Sequence, residues 1–226
     1  MKVRQTDVSE ADAKSAKIFF DAVLGFFDLS NATVLDAFAR NGQLTVSNYH
    51  DRVGHVECWE LGPEHEEALR KYTDEVKIGD SYSLLDGMGA SLYDMVVIDT
   101  PQGLHKDNHG AVMCEHFDFL PHAISLLTEG GIIVLYCNKA PYDKDKEGSQ
   151  GYDEYAEYDF KSWMARRQEY YGVDDPRHTT EDSILATYRE VIADEGRELG
   201  RVVMIPCFSD VPGKEPYAFR LALEVL

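Results

Sequence analysis

The end of the chain constrains its fold more than any other stretch. "RVVMIPCF", Arg201 to Phe208, and "YAFRLALEVL", Tyr217 to Leu226, are apolar runs of strand character, separated only by the short turn segment "SDVPGKEP" with its Pro-Gly pair. Two strands joined by so short a connection must lie antiparallel, because a parallel return needs a crossover of a dozen residues or more. The chain before them alternates in the opposite style. "TVLDAF" reads as a first strand, "HVECWEL" (His55 to Leu61) as a second, and "EVKIGDSYSLL" contains a short third. "YDMVVIDT" (Tyr93 to Thr100) reads as a fourth and "GGIIVLYCN" (Gly130 to Asn138) as a fifth. Several lack polar alternation, so they belong in a parallel sheet covered on both faces. A parallel sheet that finishes in a hairpin contains one reversed strand.

The helices between these strands carry ordinary boundary signals. Ser9 to Phe27 repeats apolar residues three or four apart (Ile18, Phe19, Val23, Leu24, Phe27), with Ser9 and Asp12 in capping-box spacing. "PEHEEALRKY" (Pro63 to Tyr72) opens with proline and runs from acids to bases, "HFDFLPHAISLL" reads as a helix, and Thr179 to Gly200 is capped by Thr179 or Thr180 and stopped by glycine. From Lys139 to about His178 the composition turns tyrosine-rich and acidic, with "KSWMARRQEYYG" helical. That is too long for an ordinary connection, so it reads as an insertion or lid in a single domain spanning 1–226. No internal repeat is found.

Composition narrows function mainly by exclusion. A formal net charge of −19 repels phosphate backbones at long range, which disfavours nucleic acid as a partner. No run of about 18 apolar residues occurs and the first residues lack a secretory leader, so the chain reads as soluble, non-membrane and cytoplasmic. Cys58, Cys114, Cys137 and Cys207 stand far apart without a CxxC pair, as reduced core thiols do.

In a sheet of this kind ligands sit at the carboxyl ends of the strands, and an acid stands at four of those ends: Asp36, Glu60, Asp80 and Asp99. "DAFARNG", Asp36 to Gly42, places a small-residue loop after the first strand. Ala39 keeps the approach to a ligand clear, and Gly42 lets the backbone turn closely. With the terminal hairpin, these signals resemble the class I S-adenosylmethionine-dependent methyltransferases over roughly Ala32 to Leu226, "DAFARNG" matching a D-x-F-A-x-x-G variant of that family's first motif.

The resemblance implies an α/β, Rossmann-like three-layer sandwich with a seven-stranded, mostly parallel sheet, and S-adenosyl-L-methionine as cofactor. It implies that Asp36, Phe38, Ala39, Asn41 and Gly42 shape the cofactor loop, with free amides of the following helix start facing the methionine carboxylate. Glu60, followed by Leu61, would accept the ribose hydroxyls, and Asp80 would contact the adenine amino group, with Ser81 or Tyr82 along the base. Arg40 stands in the loop either pointing to solvent or reaching the cofactor carboxylate. "VVIDTPQG" lacks the aromatic residue of the base-methylating D-P-P-Y variant, so the acceptor reads as a small molecule or a protein side chain.

Asp99 is the leading base or orienting acceptor at the reacting centre, followed by His105 and then His109 in the next loop. Asp99, Asp107, Asn108, His109 and His116 invite a metal, but no spacing among them is specific, and none is assigned. An aminopropyltransferase would share the fourth-strand region but carries an N-terminal β-domain that has no counterpart before the first strand. A nicotinamide enzyme would want G-x-G-x-x-G where "FARNGQLT" stands. A non-catalytic interaction module of the same fold is the non-enzymatic alternative.

Overall fold

A computed structural model describes residues 10–98, 105–106, 112–113, 115–138, 165–175, 179–208, 216 and 218–226. Helix α1 (Glu10–Phe26) is followed by β1 (Thr33–Asp36), β2 (His55–Glu60), the short helix α2 (Glu66–Leu69) and β3 (Glu75–Ile78). Next come α3 (Ser81–Leu84), β4 (Tyr93–Ile98), the two-residue strands β5 (His105–Lys106) and β6 (Val112–Met113), α4 (Glu115–Leu126) and β7 (Leu127–Asn138). Residues 165–171 form α5, and α6 (Glu181–Asp194), β8 (Leu199–Cys207) and β9 (Ala218–Val225) close the chain. β5 and β6 pair only with each other; the main sheet has seven strands in the order β3-β2-β1-β4-β7-β9-β8. Strands β1 to β4 and β7 are parallel, and β9 runs antiparallel to β7 on one side and β8 on the other. The single reversed strand expected from the hairpin is therefore present.

Residues alternate between the two faces because successive side chains point oppositely. On one face Leu35, Trp59, Val96, Ile98, Leu221 and Leu223 pack beneath α4, α5 and α6. On the other, Val34, Cys58, Met95, Val97 and Ala222 pack with Phe19, Phe20 and Val23 of α1. All eight residues of β9 are buried. The three described cysteines, Cys58, Cys137 and Cys207, are free and buried; Cys114 lies outside the described residues. No described helix is long and apolar enough to cross a membrane.

Several local expectations shift in detail. The "PEHEEALRKY" helix is a 3-10 turn at Pro63–His65 followed by the four-residue α2. β7 begins at Leu127 rather than Gly130, and its register against β4 jumps between Tyr93 and Met95, with Gly130 at a left-handed φ of 74°. That bulge hides the start of the strand in the sequence. Thr180, not Thr179, caps α6, in a reciprocal box with Ser183. Ser9 and most of the 139–178 segment lie outside the described residues.

Burial predicts the energetic weight of the hairpin. Leu221→Ala, at a fully buried position, should cost about 2–5 kcal/mol in urea unfolding. Ile18→Ala, on the exposed side of α1 at 50% exposure, should cost no more than about 0.5 kcal/mol.

Candidate functional site

The loop after β1 is held at the carboxyl ends of its two neighbours. The Ala37 amide donates to the Val97 carbonyl of β4 at 3.0 Å, and the Ala39 amide donates to the Trp59 carbonyl of β2 at 3.0 Å. Residues 37 to 39 thus bridge the ends of β4 and β2 before the chain reverses. Arg40 adopts a left-handed φ of 49° and Gly42 one of 73°, and the Gly42 amide closes the turn onto the Ala39 carbonyl at 2.8 Å. A side chain on Gly42 would stand 3.0 Å from the Tyr72 ring and 3.2 Å from Leu69. Gly42 is therefore required twice, by its backbone angle and by the neighbour packed against it. Asn41 accepts from the Gln43 amide at 3.2 Å, an Asx turn that stiffens the reversal.

Glu60 fastens this loop from β2. Its Oε2 accepts the Arg40 amide at 2.7 Å and its Oε1 accepts the Gly62 amide at 2.8 Å. The residue is only 8% exposed, so both oxygens are fixed in direction. Each carboxylate oxygen has a second lone pair, which leaves acceptor capacity for a ligand. The Arg40 backbone is bound by Glu60, and the residue is exposed.

The other acids hold different positions. Asp36 is fully buried and its Oδ2 accepts the Tyr49 hydroxyl at 2.9 Å. Asp80 caps α3, its Oδ2 accepting from the Ser83 amide at 3.2 Å and the Ser83 hydroxyl at 3.0 Å. The Ser81 hydroxyl is buried and donates to the Ala37 carbonyl at 2.6 Å, tying α3 to the β1 loop. Leu61 stands 70% exposed beside Glu60. Phe38 and Tyr82 both meet Phe119 edge-on, at 5.1 Å and 5.5 Å between ring centres. Asp36, Phe38, Ala39, Gly42, Glu60, Leu61 and Ser81 thus gather around the carboxyl ends of β1 and β2, with Asp80 at the helix start beyond β3.

One expectation is corrected. The segment after the loop is not a helix with open amides but a three-residue 3-10 turn, Val46–Asn48. The Ser47 amide already donates to the Gly42 carbonyl at 2.9 Å and the Asn48 amide to the Thr45 carbonyl at 2.9 Å. What this segment offers instead is the Thr45 hydroxyl, which is buried and has no hydrogen-bond partner.

Of the residues expected near the reacting centre, Asp99, Asp107, Asn108 and His109 lie outside the described residues, and His105 is described only as part of strand β5. His116 is fully buried, with Nε2 bonded to the Tyr188 hydroxyl. Burial, reinforced by the Arg167 charge, pushes its pKa down to about 3. It is therefore a neutral interior group, and among the described residues no cluster of three His, Cys, Asp or Glu could hold a metal ion. Tyr49, Tyr72 and Thr45 were not singled out in the sequence. Tyr49 and Tyr72 act through contacts across elements, and no spacing in the chain reports these.

A cleft of about 370 Å³ opens at the opposite end of the sheet, lined in part by Asn31, Asp94, Glu129 and Arg201. Its central acid, Asp94, accepts from the Thr33 amide at 2.8 Å and the Thr128 hydroxyl at 2.9 Å. That end is occupied with joining β1, β4 and β7 at their amino ends, whereas parallel sheets bind ligands at their carboxyl ends.

No family model and no curated protein sequence matches the chain. Solved structures do. The chain is similar to M. jannaschii TYW2 in complex with AdoMet, at 14% identity and a TM-score of 0.54 over 98% of this chain and 78% of that one. A second is the Burkholderia thailandensis 1,6-didemethyltoxoflavin-N1-methyltransferase with bound 1,6-didemethyltoxoflavin and S-adenosylhomocysteine, at 15% identity and 0.53 over 96% and 79%. A third is the tRNA (m1A58) methyltransferase TrmI from Aquifex aeolicus, at 11% and 0.50 over 99% and 72%. The fold is the class I methyltransferase fold. At these identities the likeness concerns the arrangement of the sheet and helices alone.

Two outcomes follow from this geometry. Gly42→Ala should destabilise the protein by about 1–3 kcal/mol in chemical unfolding, since it adds strain at positive φ to a clash with Tyr72. His116 has a folded pKa near 3, below its ordinary 6.5, so the unfolded chain takes up this proton first as pH falls. Its contribution is complete above about pH 6.5 and is lost progressively towards pH 3, by about 2 kcal/mol at pH 5. Thermal melts between pH 7 and 5 should show this slope, and His116→Gln should flatten it.

Proposed function

We propose that this chain is an S-adenosylmethionine-dependent methyltransferase acting on a small molecule or a protein side chain. The observation that carries the reading is Glu60. Its buried carboxylate at the end of β2 is aimed by two backbone amides and retains one acceptor site on each oxygen, as a vicinal diol requires. Exposed Leu61 and the edges of Phe38 and Tyr82 supply apolar surface for a flat base beside it. The unpartnered Thr45 hydroxyl is a buried donor or acceptor close in sequence to the same loop. Ala39 and Gly42 keep that loop free of bulk.

The cofactor would supply a methyl group made electrophilic by its sulfonium. The protein's part in such an in-line displacement is mostly alignment, because bringing the nucleophile to the methyl at the right angle accounts for much of the rate. Asp99 and then His105 are the residues we assign to orienting or deprotonating the acceptor, Asp99 directly following the buried β4. Asp36 and Ser81 act indirectly, by setting the loop. A net charge of −19 opposes a polyphosphate acceptor and suits a neutral or cationic one.

Isothermal titration with S-adenosylmethionine and S-adenosylhomocysteine tests the reading: micromolar binding is expected, and no binding of either at high micromolar concentration would end it. Glu60→Ala should weaken S-adenosylhomocysteine at least tenfold. Asp80→Ala should weaken it as well, and Asp80→Asn, which retains the cap on α3, separates the ligand contact from the cap. Unchanged affinity in the Glu60 variant would put the ribose site elsewhere.

A further inference from the structure

One buried hydroxyl joins three parts of the chain that meet at the carboxyl end of β7. Tyr188 of α6 is fully buried. Its hydroxyl bonds to His116 Nε2 in the first turn of α4, stands 3.0 Å from Cys137 Sγ near the end of β7, and 3.5 Å from the Tyr171 hydroxyl in α5. A phenol has one proton to give and two lone pairs to receive. Three partners use that capacity fully. The same place has no slack elsewhere, because His116 Nδ1 is buried without a partner and depends on the Nε2 contact to orient its ring.

The three partners sit at chain junctions. His116 lies in the first turn of α4, Cys137 is the last residue but one of β7, and Tyr171 closes α5. Ile98 of β4 pairs with Leu135 of β7, so Cys137 lies at the same edge of the sheet as the carboxyl end of β4. Two direct contacts between α4 and α5 reinforce the cluster: the Tyr170 and Phe117 rings stack with centres 3.8 Å apart, and Arg166 is ion-paired to Asp118.

We propose that Tyr188 is a positioning residue, whose single hydroxyl sets the first turn of α4, the end of β7 and helix α5 as one unit on the methyl-acceptor side of the site. That this side receives the acceptor rests on the methyltransferase reading; the coupling of the three junctions does not.

Tyr188→Phe removes the hydroxyl and keeps the ring. Hydrogen exchange by mass spectrometry should then speed up at least tenfold in both 116–119 and 165–171, with β1 to β3 within twofold of the unaltered protein. In long-range ¹H–¹⁵N spectra the His116 ring signals should move, while those of His50, His55, His65 and His122 stay. S-adenosylhomocysteine affinity should stay within twofold, since its proposed contacts lie on the β1–β3 half. Ile192→Val, a buried packing change on the same helix, should not reproduce the paired increase. Tyr171→Phe should loosen α5 alone, and tests the hub even if Tyr188→Phe does not fold. Exchange unchanged in α5 in either variant, a rise spread evenly over the sheet, or the same pattern in Ile192→Val would overturn the proposal. Failure of the unaltered protein to bind S-adenosylhomocysteine would end the methyltransferase reading alone, because the exchange experiment reads the hub without any ligand.

Discussion

A strand buried along its whole length is stable only if both of its edges are hydrogen-bonded, since an unpaired backbone group in the interior costs as much as a lost hydrogen bond. β9 meets that condition by lying between β7 and β8. Its side chains feed both layers of the core, with Phe219, Leu221, Leu223 and Val225 on one face and Ala222 on the other. Its two buried ionic groups are matched rather than isolated. Glu224 receives the Arg201 amide at 2.8 Å and its guanidinium at 2.6 Å, and the Arg220 guanidinium lies 4.8 Å from the Tyr136 ring centre. With β9 in place, β7 is covered on the edge away from β4, and the five parallel strands acquire one common carboxyl end at which a site can form.

The parallel half of the sheet converts that common end into geometry. β1 sits between β2 and β4, so its loop reaches carbonyls on both sides, and Glu60 closes the arrangement from β2. The half-buried Glu57 carboxylate plays the corresponding part inside the sheet. Burial pushes it towards the neutral form, but hydrogen bonds from Lys77, Trp59 and Tyr93 outweigh burial and hold its pKa below the usual value. β2 therefore carries two acids with opposite roles: Glu57 has three protein partners and knits β2, β3 and β4, whereas Glu60 is held by two amides with lone pairs to spare. A fully satisfied carboxylate is a structural element, and a partly satisfied one at a strand end can recognise a ligand.

Much of this was legible in the chain because it depends on local or regular rules. Alternation of strands and helices, the short Pro-Gly connection before β9, the capped start of α6 and the acids at the strand ends all follow from residue type and spacing. What stayed hidden involves pairs distant in the chain. Tyr49 on Asp36, Tyr72 against Gly42 and Tyr188 between His116 and Cys137 join residues whose separation carries no period. The bulge at the start of β7 and the collapse of the expected helix after Gly42 into a three-residue turn were also missed, because each reflects what its neighbours leave room for.

By itself, then, the sequence determined the class of the fold and the reversed strand, since hydrophobic periodicity and connection length allow few alternatives. It also determined that Asp36 and Glu60 close their strands, since strand limits are marked by local signals. Only the tertiary structure decided what each acid does there. Glu60 keeps open lone pairs, Asp36 turns inward to Tyr49 and Asp80 caps a helix. The physical reason is that a carboxylate's role is set by the donors that surround it, and those donors come from other strands and helices.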